Sequence, residues 1–217
     1  MNRRFLLALP LLLLTGLAKA EDLPQPPAGD YVYAIDVSGR GKVGAMTITL
    51  KRSGEETQAR VHRKIQVKVL GITAYRNEST VTQTLKAGKL TALDRQTNDD
   101  GDRSSLKATL SGDRLDVSDG SKTWTVDATL LPTSPWNPDL LSRSALLDTK
   151  TGKAVDITTA DKGQEELLVA GHRLKARRFE QRGGDSRDLW FDDKGRLVRM
   201  VLHREGNTVT MALESAP

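Results

Sequence analysis

Three histidines, His62, His172 and His203, are the first places to look for acid–base or metal chemistry, because imidazole titrates near neutrality and ligates zinc. No two of them share a local metal-ligand spacing. His62 alternates with Lys64 and Lys68 on the charged face of a strand pattern, His203 falls opposite Val198, Met200 and Leu202, and His172 follows Gly171 in a turn. Residues 98–102, NDDGD, cluster three carboxylates, but a calcium loop needs alternating oxygen ligands and a distant bidentate glutamate. Asp-Gly between two strand patterns is already accounted for as a tight turn. Glu165-Glu166 and Asp192-Asp193 are adjacent, and adjacent residues of a strand point to opposite faces. Serines are plentiful, yet no G-x-S-x-G elbow presents one as a nucleophile. Cysteine is absent, which excludes thiol catalysis, disulfides and a lipid-modified N-terminal cysteine. No glycine-rich phosphate loop occurs. The expectation is a protein without catalytic, metal-binding or cofactor-binding residues, and so not an enzyme.

One stretch could still bind something. Residues 130–141 read LLPTSPWNPDLL. Asn137 can cap a helix, Pro138 suits its first position and Asp139 complements the helix dipole. Leu140, Leu141, Ala145, Leu146 and Leu147 then supply an apolar stripe, with Trp136 placed as a staple on Leu141. The pattern predicts one short helix over residues 138–147. Two roles are open to it: a proline-braced corner that plugs the fold, or a lid over a cavity mouth. In the second, Trp136, Asn137, Leu140 and Leu141 are the ligand-binding residues.

The elements that must position these residues are strands. Met46, Ile48 and Leu50 alternate with Thr47 and Thr49; Val61, Ile65, Val67 and Val69 alternate with His62, Lys64, Gln66 and Lys68. Leu106, Ala108 and Leu110 repeat the pattern, as do Trp124 with Val126 and Val198 with Met200 and Leu202. Period two means half-buried strands with one dry and one wet face. Arg63 interrupts the dry face of its strand. Turn signals such as RSGEE, KAGK, NDDGD, SGD, RGGD and DDKG separate the runs. About a dozen strands joined so tightly imply an antiparallel meander, curled into a half-barrel or barrel, rather than a parallel sheet with helical crossovers.

The N-terminus has the form of a secretory signal peptide: Arg3 and Arg4, the apolar run FLLALPLLLLTGL, then Ala18-Lys19-Ala20. Its apolar run is short for a membrane span. The expected organisation is a signal peptide over residues 1–20, an extended lead-in over 21–30, and a single β domain over 31–217, with no transmembrane segment after cleavage. Removal of the leader takes Arg3, Arg4 and Lys19 from 33 basic residues and none of 28 acidic ones, so the formal charge falls from +5 to +2. Such a sign-mixed surface gives no footprint for nucleic acid. The protein is therefore expected to be exported, and periplasmic.

Three motifs, VKVLGITAYRNES (67–79), LPTSPWNPDLL (131–141) and DLWFDDKGRLVRM (188–200), resemble an uncharacterised family of exported bacterial β proteins known only as a domain of unknown function. That resemblance implies the β fold and the location and transfers no catalytic residue.

With three each of Phe, Trp and Tyr, sugar-stacking platforms are disfavoured. The leading functional expectation is a non-catalytic binding or carrier protein for a hydrophobic ligand such as a lipid, by analogy with exported half-barrels that hold acyl chains. The alternative is a ligand-free envelope module that binds another protein; a hydrolase ranks third.

Overall fold

The computed structural model describes residues 23–204 and 206–217. The proposed leader lies outside them. The strands are β1 (Gly29–Val37), β2 (Gly41–Ser53), β3 (Glu56–Val69), β4 (Ile72–Lys86), β5 (Lys89–Asp99), β6 (Asp102–Ser111), β7 (Arg114–Ser118) and β8 (Thr123–Asp127). After them come β9 (Leu131–Pro132), a 3-10 helix (Pro138–Ser142), β10 (Ala145–Leu147) and β11 (Ala154–Asp156). The chain ends with β12 (Thr158–Val169), β13 (His172–Arg182), β14 (Arg187–Phe191), β15 (Leu197–Arg204) and β16 (Asn207–Ser215).

Thirteen of these strands form one antiparallel sheet in the order β12-β13-β14-β15-β16-β1-β2-β3-β4-β5-β6-β7-β8. Every neighbour is also a sequence neighbour except β16 and β1, which pair from Val32↔Ser215 to Val37↔Val209. The first and last strands thus pair in the middle of the sheet. The sheet is curled and not closed into a barrel: its edges, β8 and β12, are the strands that flank residues 128–157.

Register carries one dry face across this sheet. Tyr33 pairs with Met46, Ile48 with Val61, Val61 with Val81, Leu93 with Ala108 and Ala108 with Val117, all buried. On the other side Ile35 pairs with Met211, Met211 with Met200 and Met200 with Leu189, again all buried. Each fully buried aliphatic or aromatic side chain stabilises the fold by about 1.5–3 kcal/mol. The alternation in the sequence is therefore the alternation between inside and outside.

Residues 128–157 fill the inside. β9, β10 and β11 make a separate three-stranded sheet, β10 running parallel to β9 and antiparallel to β11. The expected helix over 138–147 exists only as the 3-10 turn Pro138–Ser142. Asn137 caps it as foreseen, its Oδ1 accepting from the Asp139 amide at 3.0 Å. Ser142 and Ser144 are poor helix formers, and Ala145–Leu147 pairs with strands on both sides instead. Tertiary pairing outweighs an apolar helical stripe.

A second layer covers part of the outside. In β13, Leu174, Ala176 and Arg178 share the outer face with Trp190 of β14, and Leu167 and Val169 of β12 pair onto that face. Leu167, Val169, Ala176 and Trp190 are buried although they point away from the main interior, and β12 comes close to β16. The β12–β13 ribbon therefore folds back over the outer face of the sheet.

Candidate functional site

The stretch open to two roles, a plugging corner or a lid, lies at the centre of the segment that fills the interior. Trp136, Asn137 and Leu140 are 3 %, 6 % and 1 % exposed, and Leu141 is half-buried. The structure brings all four into one segment beneath the N-terminal lead-in. Gln25 Nε2 donates to Asn137 Oδ1 at 2.9 Å, and Pro26 lies buried beside Trp136. The lead-in is held in turn by Tyr31, whose hydroxyl donates to the Pro27 carbonyl, and by Arg52, which donates to the Pro26 carbonyl. Gly195, in the β14–β15 turn, sits directly under the Pro24 carbonyl, where a Cβ would stand 1.7 Å from that oxygen. The gap left between plug, lead-in and sheet is a void of about 10 Å³, lined by Tyr31, Tyr33, Ile48, Leu50 and Trp136 among others. That is room for one water molecule at most.

Polar clasps hold the plug to the sheet. Trp136 Nε1 donates to Gln83 Oε1 at 3.2 Å, and the Gln83 amide donates to Ser134 Oγ. Arg187, on the inner face of β14, donates to the Thr133 carbonyl at 2.7 Å and to Gln181 Oε1 at 2.9 Å. Its Nη2 finds no hydrogen-bond partner among the described residues. Burial pushes the Arg187 guanidinium down to about 10, with the Asp185 carboxylate acting the other way. On the far side, Trp124 Nε1 donates to the Gly152 carbonyl at 2.8 Å.

A second buried polar group lies at the open end of β3–β6. Arg63, which broke the dry face of its strand, is half-buried and donates to Asn77 Oδ1 at 3.2 Å. Asn77 and Tyr75 both donate to Asp99, and these bonds hold the Asp99 carboxyl below the usual carboxylate range. Arg95, 8 % exposed, faces inward and donates to the hydroxyls of Thr97 and Ser104. Burial lowers its pKa, and Asp148 of the plug works in the opposite direction. Nothing in the alternation signalled Arg95 or Arg187 as inward-facing; register with Val81 and Leu106, or with Leu202, is what places them there.

Outside, Asp188 gathers two guanidinium groups and an imidazole. Arg178 and Arg182 donate to it at 3.0 Å each, and His203 Nε2 lies 3.2 Å away. Arg178 and Arg199 stack over the Trp190 ring, whose Nε1 donates to Glu165. His203 thus faces out, opposite Met200, as its spacing required. His62 also lies on the outer face, against Thr80 and Glu78, and His172 opens β13 in the turn after Gly171. The three histidines are not brought together. Asn98–Asp102 is the β5–β6 turn, with Asp100 and Gly101 at positive φ and Asn98 Oδ1 accepting from the Gly101 amide. Of the paired carboxylates, Asp192 is buried on Arg196 while Asp193 is exposed, and Glu165 and Glu166 serve different partners. Among the described residues no group of three histidine or carboxylate side chains is placed to hold a metal ion, and no helix is long and apolar enough to cross a membrane. The larger hollow, about 520 Å³, is an open polar one on the outer face, lined by Glu78, Thr80, Gln96, Asn98, Arg103 and Ser105 among others.

In three dimensions the chain is similar to a β-barrel-like protein of domain of unknown function DUF1849 from Brucella abortus, with a TM-score of 0.67 and 11 % identity over 88 % of this chain and 97 % of that one. At that identity the likeness shows the fold alone. A protein from Parabacteroides distasonis, described provisionally as a lipoprotein, aligns at a TM-score of 0.40 and 8 % identity over 89 % of this chain and 96 % of its own. No curated protein matches the sequence. The family described as domain of unknown function DUF6134 matches residues 33–214, so this chain belongs to that family.

Proposed function

We propose that the protein is an exported, non-catalytic binding protein of the bacterial envelope that meets its partners on its outer surface, the interior being given over to structure. The observation that carries this reading is the filled interior: Leu131, Trp136, Leu140, Leu146 and Leu147 occupy the space that an acyl chain would need, and the gap beside Trp136 is about 10 Å³. Pockets for small apolar ligands run to several hundred Å³. The hollow of that size is polar and lies outside, which suits a polar group of a partner. The leader-like N-terminus, Arg3 to Ala20, supports export. Mass spectrometry of organic extracts from natively purified protein tests the reading. A clean extract is expected; a stoichiometric lipid would overturn it.

One observation favours the carrier reading as a second choice. The plug is tied to the sheet by a few side-chain bonds, from Gln83, Arg187 and Trp124, and the sheet edges on either side of it are not sealed to one another. A plug that swings out would uncover a greasy lining. In that case the protein takes up an apolar dye saturably, and Trp136→Ala increases the uptake; in the surface-binding reading the dye signal tracks only unfolded protein.

A further inference from the structure

The β3–β4 hairpin outruns its neighbours. β2 accompanies β3 only as far as Gly44↔Ile65, and β5 accompanies β4 only to Asn77↔Asp99. Residues 66–76 therefore project as a two-stranded ribbon with no lateral strand. At its end Val69, Leu70 and Ile72 are 50 %, 98 % and 73 % exposed, and they are three of the four large hydrophobic side chains exposed among the described residues. Residues 63–77 include Arg63, Lys64, Lys68 and Arg76 and not one acidic residue. Arg63 turns inward to Asn77; Lys64, Lys68 and Arg76 are exposed. The nearest carboxylates in register, Glu78 opposite Lys64 and Asp99 opposite Asn77, lie at the base of the ribbon.

The tip is also built against local preference. Leu70 has φ +50°, followed by Gly71 at +82°. Two positive φ angles make a type I′ turn, whose first position favours Asn, Asp or Gly. The β5–β6 turn follows that preference with Asp100 at φ +54°, whereas the β4–β5 and β12–β13 turns carry Ala87 and Ala170 at φ +48° and +50°. A leucine there costs about 1–2 kcal/mol of steric strain, and at 98 % exposure packing returns nothing.

We propose that this tip docks the protein on an anionic lipid bilayer, with Val69, Leu70 and Ile72 entering the interface and Lys68 and Arg76 facing the lipid phosphates. Three apolar side chains on a narrow ribbon are far short of the roughly 800 Å² per partner that a stable protein interface buries. They suit shallow insertion between headgroups, where apolar burial and basic charge act together. The tip's chemistry is independent of what the interior holds, so the outcome at the vesicle and the outcome of lipid extraction are separate.

The test is co-sedimentation of the full secreted chain with vesicles of phosphatidylcholine alone or with a third phosphatidylglycerol. Binding to the anionic vesicles is expected, weakened by salt and by about fivefold for each of Lys68→Gln and Arg76→Gln. Leu70→Ser with Ile72→Ser abolishes it without lowering stability, because neither side chain packs on the body. Since the chain has no cysteine, Leu70→Cys carrying an environment-sensitive dye reports the tip alone, and its emission shifts to the blue on anionic vesicles only. Equal binding to both vesicle types, binding indifferent to the two serines, or binding to neither while the serine variant loses a co-purifying protein would each overturn the proposal.

Discussion

The plug and the β3–β4 tip are made from the same kinds of residue and meet opposite fates. Leu131, Leu140, Leu146 and Leu147 are at most 2 % exposed, whereas Leu70 and Ile72 stand almost free in solvent. Both segments are apolar interruptions of an otherwise alternating chain. The difference is topological. The plug joins the two edges of the curled sheet and so has walls on every side, while the tip extends past the last strand pair on either flank. Apolar content tells that a surface wants cover; only register tells whether the fold supplies it.

The largest effect is expected on the plug. Trp136→Ala removes a 3 %-exposed side chain and leaves the Gln83 carbonyl oxygen unpaired. The loss should be about 4 kcal/mol, as for other buried tryptophans, or roughly 10 °C in melting temperature for a chain of this length. Thermal unfolding followed by circular dichroism measures it. An unchanged melting temperature would mean that the plug is a detachable lid and that the contrast with the tip is false.

Gly152→Ala should cost less, about 2 kcal/mol, through overpacking. Gly152 has φ +68°, and a Cβ there would lie 2.7 Å from Val117, 2.8 Å from Leu106 and 2.8 Å from Trp124. The urea midpoint reads the effect. A neutral substitution would show that the 148–153 loop does not press on β6–β8.

How much of this was legible beforehand follows from the same contrast. Period two in residues 46–50, 61–67, 106–110 and 198–202 was enough for the strands and their dry face, because burial repeats every second residue wherever a sheet has one wet side. The proline-braced corner was legible through Asn137, Pro138 and Asp139, which form the cap. Its continuation as a strand was not, since Leu146 and Leu147 fit either an apolar helix stripe or a short buried strand, and the choice was made by partners at Leu131 and Val155. Arg95 and Arg187 were invisible for a related reason. A charged residue in an alternating run reads as wet-face unless its register is known. Gly152 is a turn glycine at φ +68° that is also pressed against Val117, Leu106 and Trp124.

Acid should separate the outer hub from both regions. Burial alone pushes the Asp188 carboxyl up, and the hydrogen bonds from Arg182, His203 and Arg178 more than reverse it, leaving it below the usual range. A carboxyl depressed in the folded state contributes stability that is present above about pH 4 and is lost as pH falls through its folded value. Asp188→Asn should therefore be less stable than the parent at neutral pH, with the gap narrowing in acid. The size is limited because the Arg178 and Arg182 side chains are 29 % and 43 % exposed and partly screened. Urea midpoints from pH 7 to pH 3 test this, and a constant gap would remove Asp188 as the source.

The smallest change sharpens the comparison most. Leu70→Asn places at φ +50° a residue that tolerates the left-handed region, and it gives up no packing because Leu70 has almost none. Stability should rise by up to about 1 kcal/mol, read as a higher urea midpoint. The same substitution in the plug, Leu140→Asn, would bury an amide among apolar neighbours and lower it. If Leu70→Asn destabilises instead, then Leu70 packs against something in the folded chain, and the tip is a misjudged piece of core. If it stabilises while anionic vesicle binding falls, the leucine is held at a strained turn at the expense of the fold, which is the mark of a residue retained for what lies outside the molecule.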